Sequence, residues 1–280
     1  MKNLIENMTF DAERALYNLK DAEVRNCTFA GPADGESALK EARDITVSGC
    51  SFSLRYPLWH VKGFTLADSK MDELTRAAIW YSENGKIVNS VLGGLKVLRE
   101  CKNITLEGVD SSSPEMGWRC CGINISKGKY DSQYFLFESK NINISNIEMK
   151  GKYSFQYTEN VTVSDSVLDT KDAFWHAKNV TVRNCTVKGE YLGWYSDRLT
   201  LINCRIIGTQ PLCYAKHLKL IDCTMEDTDL SFEYSDVTAT VNGEIMSVKN
   251  PHSGKIIADG YGEVILENSV VKNSCRIIKR

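Results

Sequence analysis

The hydrophobic and polar positions of this chain repeat at a nearly fixed interval of 19 residues. Each repeat places an apolar residue, any residue, a second apolar residue, any residue, and then Asn or Asp. Val180, Val182 and Asn184 show the pattern once. Successive 19-residue steps repeat it as Leu199/Leu201/Asn203 and Leu218/Leu220/Asp222. A period held over so many repeats predicts a solenoid rather than a domain with one central core.

Two polar columns predict the corners of each coil. Asn184 ends the pattern, and Asn179 lies five residues before it. Both columns are rich in Asn, Asp and Gly, which tolerate a left-handed backbone. A third short strand is predicted ahead of the second corner, for example over 135–138, 173–176 and 192–195. The pattern therefore predicts an all-β, right-handed, single-stranded parallel β-helix of about 12–13 coils of roughly 19 residues.

The repeat runs almost from end to end, which predicts one β-helix domain over residues 1–280. Residues 1–20 are expected to form an N-terminal cap or the first coil, because an open solenoid end exposes strand edges. Two steps are longer than the period. They predict a small excursion at 31–35 and a loop insertion over 244–262, in the penultimate coil.

Composition narrows the class of partner and the compartment. A net charge of −2 and a pI near 6.1 give no global basic field for nucleic acid. We find neither the apolar core of a signal peptide nor a stretch of about 18 apolar residues that spans a membrane. Several of the ten cysteines share repeat columns, as Cys185 and Cys204 do. This favours reduced, buried thiols and a cytoplasmic protein.

The Asn corners and the cysteine column resemble those of the pectate-lyase-like superfamily of right-handed β-helices, over about residues 13–275. The chain also resembles an uncharacterised bacterial family in that superfamily whose members are often labelled hydrolases without an assigned substrate. The resemblance implies a fold and not a reaction. The expectation of a carbohydrate ligand comes from the long flat face that parallel β-helices offer to extended glycans, which is an analogy of fold. The N-T-D, D-D and G-H-G motifs of polygalacturonases are absent, and no Asp-rich column matches the calcium cluster of pectate lyases.

Aromatic residues form one column of the repeat. All five tryptophans belong to it: Trp59, Trp80, Trp118, Trp175 and Trp194. They predict either a platform for sugar rings or a buried ladder, because Trp buries much surface. A neighbouring row is apolar: Leu58, Ile79, Leu98, Leu136, Phe155, Phe174 and Leu212. Strict alternation turns this row outward as an exposed face for a ligand or a second subunit, whereas a bulge makes it core and exposes the tryptophans.

The column after the tryptophans carries the candidate chemistry. Glu100 and Glu138 flank Arg119 in it, one coil away on each side. Coils about 4.8 Å apart place the two glutamates near the roughly 6.5–9.5 Å separation of inverting glycosidases. One glutamate is then the general acid and the other the general base, with Arg119 orienting the substrate. The alternative is a ladder of unlike charges that only stabilises the sheet.

The predicted function is a carbohydrate-active hydrolase of the glycosidase type, without metal or cofactor. The predicted catalytic residues are Glu100, Glu138 and Arg119. The predicted substrate-binding residues are Trp118, Tyr157, His176, Tyr195 and Tyr214. The partner is then an oligo- or polysaccharide, and neither nucleic acid nor membrane. The alternative function is a non-catalytic carbohydrate-binding or self-associating scaffold, forming a homo-oligomer through an apolar face.

Overall fold

The computed structural model describes residues 3–31 and 36–280 and divides into two compact units, Met1–Ile142 and Asn143–Arg280. The predicted excursion at 31–35 lies outside the described residues, apart from Gly31. The described residues form strands, turns and bends, and none of them is in a helix. No helix with the length and apolar character to cross a membrane occurs among them. The predicted all-β class is confirmed.

Unit 1 contains sixteen short strands. They are β1 (Asn3–Glu6), β2 (Thr9–Phe10), β3 (Ala22–Arg25), β4 (Thr28–Ala30), β5 (Arg43–Ser48), β6 (Ser51–Ser53), β7 (Lys62–Ala67), β8 (Lys70–Met71), β9 (Ile79–Trp80), β10 (Glu83–Val88), β11 (Val91–Leu92), β12 (Leu98–Arg99), β13 (Lys102–Glu107), β14 (Asp110–Ser111), β15 (Glu115–Trp118) and β16 (Cys121–Phe137). The next strand, β17 (Lys140–Ser154), contains the boundary between the units.

Unit 2 contains the remaining twelve strands. They are β18 (Glu159–Ser164), β19 (Val167–Thr170), β20 (Lys178–Arg183), β21 (Thr186–Lys188), β22 (Asp197–Ile202), β23 (Arg205–Ile207), β24 (Leu218–Glu226), β25 (Asp236–Val241), β26 (Glu244–Lys249), β27 (Ser253–Ala258), β28 (Gly260–Ile265) and β29 (Arg276–Lys279).

Strand pairing within each unit is parallel and follows the repeat. In unit 1, Ile104 pairs with Ile123, and in unit 2 Val180 pairs with Leu199, a step of 19 residues in both cases. Each unit is therefore a parallel β-solenoid, the fold that the repeat predicted. The predicted third strand is present in unit 1 as β9, β12 and β15, but residues 173–176 and 192–194 of unit 2 form turns.

Asn side chains turn the chain at the predicted corners. Asn184 has a φ of 54° and its Nδ2 donates to Oδ1 of Asp165 one coil earlier, at 3.0 Å. Asn203 donates in the same way to Asn184, also at 3.0 Å. Unit 1 repeats this contact between Asn103 and Asn84 at 3.1 Å. Each corner thus combines a left-handed backbone that Asn tolerates with a hydrogen bond along the solenoid.

The apolar row beside the tryptophans is core, so strict alternation is wrong here. Its members are all buried: Leu58, Ile79, Leu98, Leu136, Phe155, Phe174 and Leu212. The reason is an extra pair of left-handed residues, such as Phe174 and His176 with φ of 59° and 53°. These residues break the extended backbone that strict alternation requires. The row therefore offers no exposed apolar face for a second subunit.

The segment predicted as a loop insertion over 244–262 consists mostly of strands. It contains β26 and β27 and the start of β28. β26 pairs with β28 and β27 pairs with β25, so the extra residues are paired backbone rather than a loop. At the other end of the sequence, β1 pairs in parallel with β3, as a coil of the solenoid does.

The cysteines line the interior as the repeat predicted. All ten are free, and eight are buried. Within unit 2, Cys185, Cys204 and Cys223 occupy one buried column, and each sulfur lies near backbone carbonyl oxygens. Burial raises the pKa of the Cys185 thiol to about 11 and that of Cys213 to about 12. These thiols are packing residues in their neutral form.

Candidate functional site

The candidate catalytic residues of unit 1 lie at a corner rather than in a strand. Glu100, Arg119 and Glu138 have φ of 50°, 53° and 53°. The residue after each of them points into the core, as Cys101 and Cys120 do. Long polar side chains in this backbone conformation are uncommon. The turn points the three side chains to the surface in one column, one coil apart.

Two of these three residues bind each other. Nε of Arg119 donates to Oε2 of Glu138 at 2.7 Å, across neighbouring coils. This hydrogen bond raises the pKa of Arg119, and the charges of Glu138 and Glu100 add to the shift. Oε1 of Glu100 instead lies 3.4 Å from Nε of Arg99, the preceding residue. The structure therefore brings the three together as charged neighbours, with Glu138 committed to Arg119.

A concave pocket of about 410 Å³ opens beside this column. It is lined by Tyr81, Ser82, Glu83, Glu100, Lys102, Arg119 and Cys121. The lining combines two rows of the repeat. Tyr81, Glu100 and Arg119 form the first row, and Glu83, Lys102 and Cys121, each two residues later, form the second. Glu138 is not part of the lining. The pocket is therefore a polar depression between two exposed rows, with the buried row between them as its floor.

The charges around the pocket are unevenly paired. Glu83 accepts a hydrogen bond from Nζ of Lys62 at 2.8 Å, which lowers the pKa of Glu83. Glu100 and Arg119 are paired with Arg99 and Glu138, as described above. Lys102 forms no ion pair within 4.0 Å with any described residue, although its charge also lowers the pKa of Glu83, its register partner. A ligand with an anionic group gains most from this position.

Sequence reasoning missed Glu83, Lys102 and Cys121. Their column was visible in the sequence, since Glu83 and Lys102 are also register partners, as are Lys102 and Cys121. The left-handed corner that turns both columns to the same side was not visible. Gly117, two residues before Arg119, is buried. A Cβ at Gly117 meets Cδ2 of Leu136 at 2.6 Å, so this glycine serves core packing.

In unit 2 the same column is a stack of aromatic rings. Tyr157 and His176 stack with ring centroids 5.2 Å apart, His176 and Tyr195 at 4.9 Å, and Tyr195 and Tyr214 at 4.8 Å. Both faces of His176 and of Tyr195 are covered by neighbours. A sugar ring therefore cannot stack on them, and a ligand meets only ring edges and hydroxyl groups. The substrate-binding role predicted for Tyr157, His176, Tyr195 and Tyr214 stays a prediction.

His176 is the one imidazole in this stack of rings. Burial lowers its pKa, and the charge of Lys178 lowers it further. His176 is therefore neutral at neutral pH and able to accept a proton. At the end of the stack, the Tyr214 hydroxyl donates to Oε2 of Glu233 at 3.4 Å. Burial, with a contribution from the charge of Glu233, raises the pKa of Tyr214 to about 12.

The five tryptophans are half-buried, so they form neither an open platform for sugar rings nor a fully buried ladder. Trp118 packs against Phe137 at 5.1 Å and edge-on against Tyr134 at 5.8 Å. Nε1 of Trp80 and of Trp194 donate to backbone carbonyl oxygens of the next coil, both at 2.7 Å. These rings brace the corners that hold the site columns. Trp118 supports Arg119 and is not among the residues that line the pocket.

The described residues contain no cluster of three or more His, Cys, Asp or Glu side chains arranged to hold a metal ion. The carboxylates of the unit 1 pocket are each engaged with a Lys or Arg side chain.

Several solved structures are similar to this chain. The surface adhesin PfbA of Streptococcus pneumoniae is 11% identical, with a TM-score of 0.36, covering 86% of this chain and 77% of PfbA. The A-module of the mannuronan C-5 epimerase AlgE6 of Azotobacter vinelandii is 12% identical, with a TM-score of 0.37, covering 100% of this chain and 91% of that module. The AlgE4 A-module of the same organism is 10% identical, with a TM-score of 0.36, covering 86% and 91%.

No curated protein sequence is significantly similar to this chain. A family model does match, and it spans residues 3–278, which is nearly the whole sequence. Its description is "Protein of unknown function (DUF3737)", and the chain belongs to that family.

Proposed function

We propose that this chain binds an oligo- or polysaccharide in the pocket of unit 1. The observation that carries the proposal is the pocket itself, in which Glu100, Lys102 and Arg119 converge beside the ring of Tyr81. Carboxylates, cations and a phenol hydroxyl supply the acceptors and donors that sugar hydroxyls require. Lys102 has no ion-pair partner among the described residues within 4.0 Å, so its ammonium group is the one we expect to bind an anionic group of the sugar.

The reaction proposed for this site is hydrolysis of a glycosidic bond. Glu100 and Glu138 are the two carboxylates, one as general acid on the leaving oxygen and one as general base on water. Arg119 lies between them along the column and holds the ligand. Because Glu138 is bonded to Arg119, ligand binding has to draw Arg119 into the pocket before Glu138 can act on water.

A second candidate is a carbohydrate-binding scaffold without catalysis. It is favoured by the mutual pairing of Arg119 and Glu138 and by the closed stack of rings in unit 2. Both observations describe charged and aromatic groups that are already satisfied by neighbours. In this case Lys102 and Arg119 hold the glycan and neither glutamate has a chemical role.

A two-stage experiment separates these candidates. Binding is first screened against neutral and acidic oligosaccharides by calorimetry, and turnover of each bound glycan is then followed by release of reducing ends. Glu100→Gln and Glu138→Gln should each lower turnover by about 10²–10⁴-fold while the glycan still binds. Glu107→Gln is the control, because Glu107 pairs with Lys86 on the same unit outside the pocket.

Each outcome has a distinct meaning. Binding that is lost in Lys102→Ala, with no turnover in the wild-type protein, favours the scaffold. Turnover that is unchanged in both glutamate variants rules out the two-carboxylate reaction. If no glycan binds, the carbohydrate proposal itself is wrong.

We also propose a reducing compartment, the cytoplasm, for this chain. Ten free cysteines support the proposal, since eight of them pack in the interior as thiols.

A further inference from the structure

A histidine–carboxylate pair lies in unit 2, outside every site predicted from the sequence. Nδ1 of His217 is 2.9 Å from Oδ1 of Asp197, one coil earlier. The other carboxylate oxygen, Oδ2, is 3.1 Å from a guanidinium nitrogen of Arg198. The backbone N–H of His217 donates to Oδ2 of Asp236 at 3.2 Å. The ring and the backbone of His217 are thus both held by carboxylates.

The pair is oriented so that the reactive nitrogen of His217 remains accessible. Asp197 is mostly covered, with its side chain 25% exposed, whereas that of His217 is 62% exposed. Nδ1 is bonded to Asp197, and no described residue is hydrogen-bonded to Nε2 of this exposed ring. A carboxylate on one ring nitrogen fixes the tautomer and the orientation of the ring.

We propose that His217 and Asp197 form a second, separate site, in which His217 is the general base and Asp197 its positioning residue for the hydrolysis of an ester. No Ser, Thr or Cys side chain of the described residues is bonded to His217, so the nucleophile is water. A glycosidic bond needs an acid to protonate its leaving oxygen. An ester carbonyl, in contrast, is attacked directly by water that a neutral imidazole deprotonates.

The steps balance without any further reactant. The water oxygen bonds to the carbonyl carbon of the ester while one water proton passes to Nε2 of His217. The tetrahedral intermediate then collapses, the bond from the carbonyl carbon to the alcohol oxygen breaks, and the alcohol leaves with the proton from His217. One ester and one water give one carboxylic acid and one alcohol, and His217 returns to its neutral form.

The surroundings of His217 indicate the class of ester. Lys216 is exposed, directly precedes His217 and is the register partner of Asp197, so we expect its positive charge to stabilise the developing oxyanion. The ring edges of Tyr195 and Tyr214 lie in the same two coils as Asp197 and His217. This is a polar, hydroxyl-bearing surface that fits an acylated sugar. The choice of a sugar rests on the proposed function, whereas ester hydrolysis does not.

The test uses p-nitrophenyl acetate as the probe on the full chain. We expect His217→Gln to lower kcat/KM by about 100-fold, the lower end of what a positioned base supplies. The matched control is His60→Gln, because His60 is a second exposed histidine in a left-handed turn, and it stacks on Tyr81 without a carboxylate partner. The control should retain the wild-type rate. An equal loss in both variants means that any exposed imidazole suffices and overturns the proposal.

Asp197 is tested by how its variants divide the effect between kcat and KM. Asp197→Asn should lower kcat with KM unchanged, and Asp197→Glu should restore part of kcat because the carboxylate returns. If kcat falls in Asp197→Asn together with the thermal midpoint, and Asp197→Glu restores none of it, the role of Asp197 is purely structural. That result overturns the proposed positioning role. Glycan binding by unit 1 is measured on the same variants, so failure of the esterase site and failure of the carbohydrate proposal are read separately.

Discussion

Arg119 and Glu138 form a hydrogen-bonded ion pair at 2.7 Å between neighbouring coils, at the edge of the pocket of unit 1. Both side chains are exposed and both sit in left-handed turns. An exposed ion pair of this kind adds little to stability. Its contribution to stability can therefore be measured separately from the ligand role proposed for Arg119.

Exchanging the two charges separates these roles. The double variant Arg119→Glu/Glu138→Arg keeps an ion pair between the same coils, so we expect its thermal midpoint to stay close to that of the wild type. It reverses the charge at the pocket wall, so glycan binding measured by calorimetry should be lost. The control exchanges Arg205 and Glu226, an exposed pair in unit 2, and should leave binding intact. Full binding by the first double variant contradicts a ligand role for Arg119.

The ring of His176 predicts a pH dependence of folding. Burial lowers its pKa below the ordinary 6.5, so the folded state binds this proton less readily than the unfolded state does. The stability that the neutral ring contributes is therefore present above about pH 6.5 and is lost as the pH falls below that value. His176→Phe keeps a stacked ring between Tyr157 and Tyr195 and removes the titration. Urea midpoints at pH 7.5 and 5.0 should differ less in His176→Phe than in the wild type, and an equal difference contradicts the assignment.

The fold could be predicted from the sequence because every coil repeats the same constraints on residue type. Inward positions such as Val180 and Leu199 must be apolar in every coil, and corner positions such as Asn184 must tolerate a left-handed backbone. Each constraint recurs every 19 residues, so a single irregular coil cannot hide the period. The same logic identified the column of Glu100, Arg119 and Glu138 as chemically distinct.

The sequence was insufficient for the direction of the side chains around the site. His176 and Glu138 adopt positive φ, and neither residue type signals that conformation as Asn or Gly does. These turns reverse the alternation of the preceding residues, so Phe174 is core and Trp175 is half-exposed. They also bring Lys102 beside Glu100. The pocket results from a backbone geometry that the stacking of coils imposes. No short sequence pattern predicts that geometry.

Removing a core ring tests the corrected orientation of the apolar row. Phe174 is fully buried and stacks on Phe155 with centroids 4.8 Å apart. Phe174→Ala should therefore lower the free energy of unfolding by about 3–5 kcal/mol. The control is Val167→Ala, at an exposed strand position, which should change it by less than about 0.5 kcal/mol. A similar small change in both variants, measured by urea unfolding, restores the outward orientation that strict alternation predicted.

Thiol titration tests the burial of the cysteine columns. Cys121 is exposed in the wall of the pocket, whereas Cys213 is buried and its pKa is raised to about 12. Because the thiolate is the reactive form, the native protein should show one fast reaction with a disulfide reagent and slow reaction of the buried thiols. Cys121→Ser should remove the fast reaction. Bound glycan should slow it in the wild type, and a rate unaffected by saturating glycan places the ligand elsewhere.

The corner at Asn184 reverses the usual ranking of alanine and glycine. Both Asn184→Ala and Asn184→Gly lose the side-chain hydrogen bonds to Asp165 and Asn203. Only alanine also meets the steric cost of a φ of 54°, which is about 1–2 kcal/mol. Asn184→Ala should therefore be less stable than Asn184→Gly by about 1 kcal/mol in urea unfolding.

A strand position supplies the comparison for this corner. Thr181 lies in the middle of β20 with an ordinary extended backbone, so Thr181→Gly should be less stable than Thr181→Ala by about 0.5–1 kcal/mol. Thr181 and Asn184 are three residues apart on one coil, so opposite rankings at these two positions show that backbone conformation decides the stability of the corner. The same ranking at both positions indicates that the Asn column serves its hydrogen bonds alone, because the left-handed turn then carries no measurable cost.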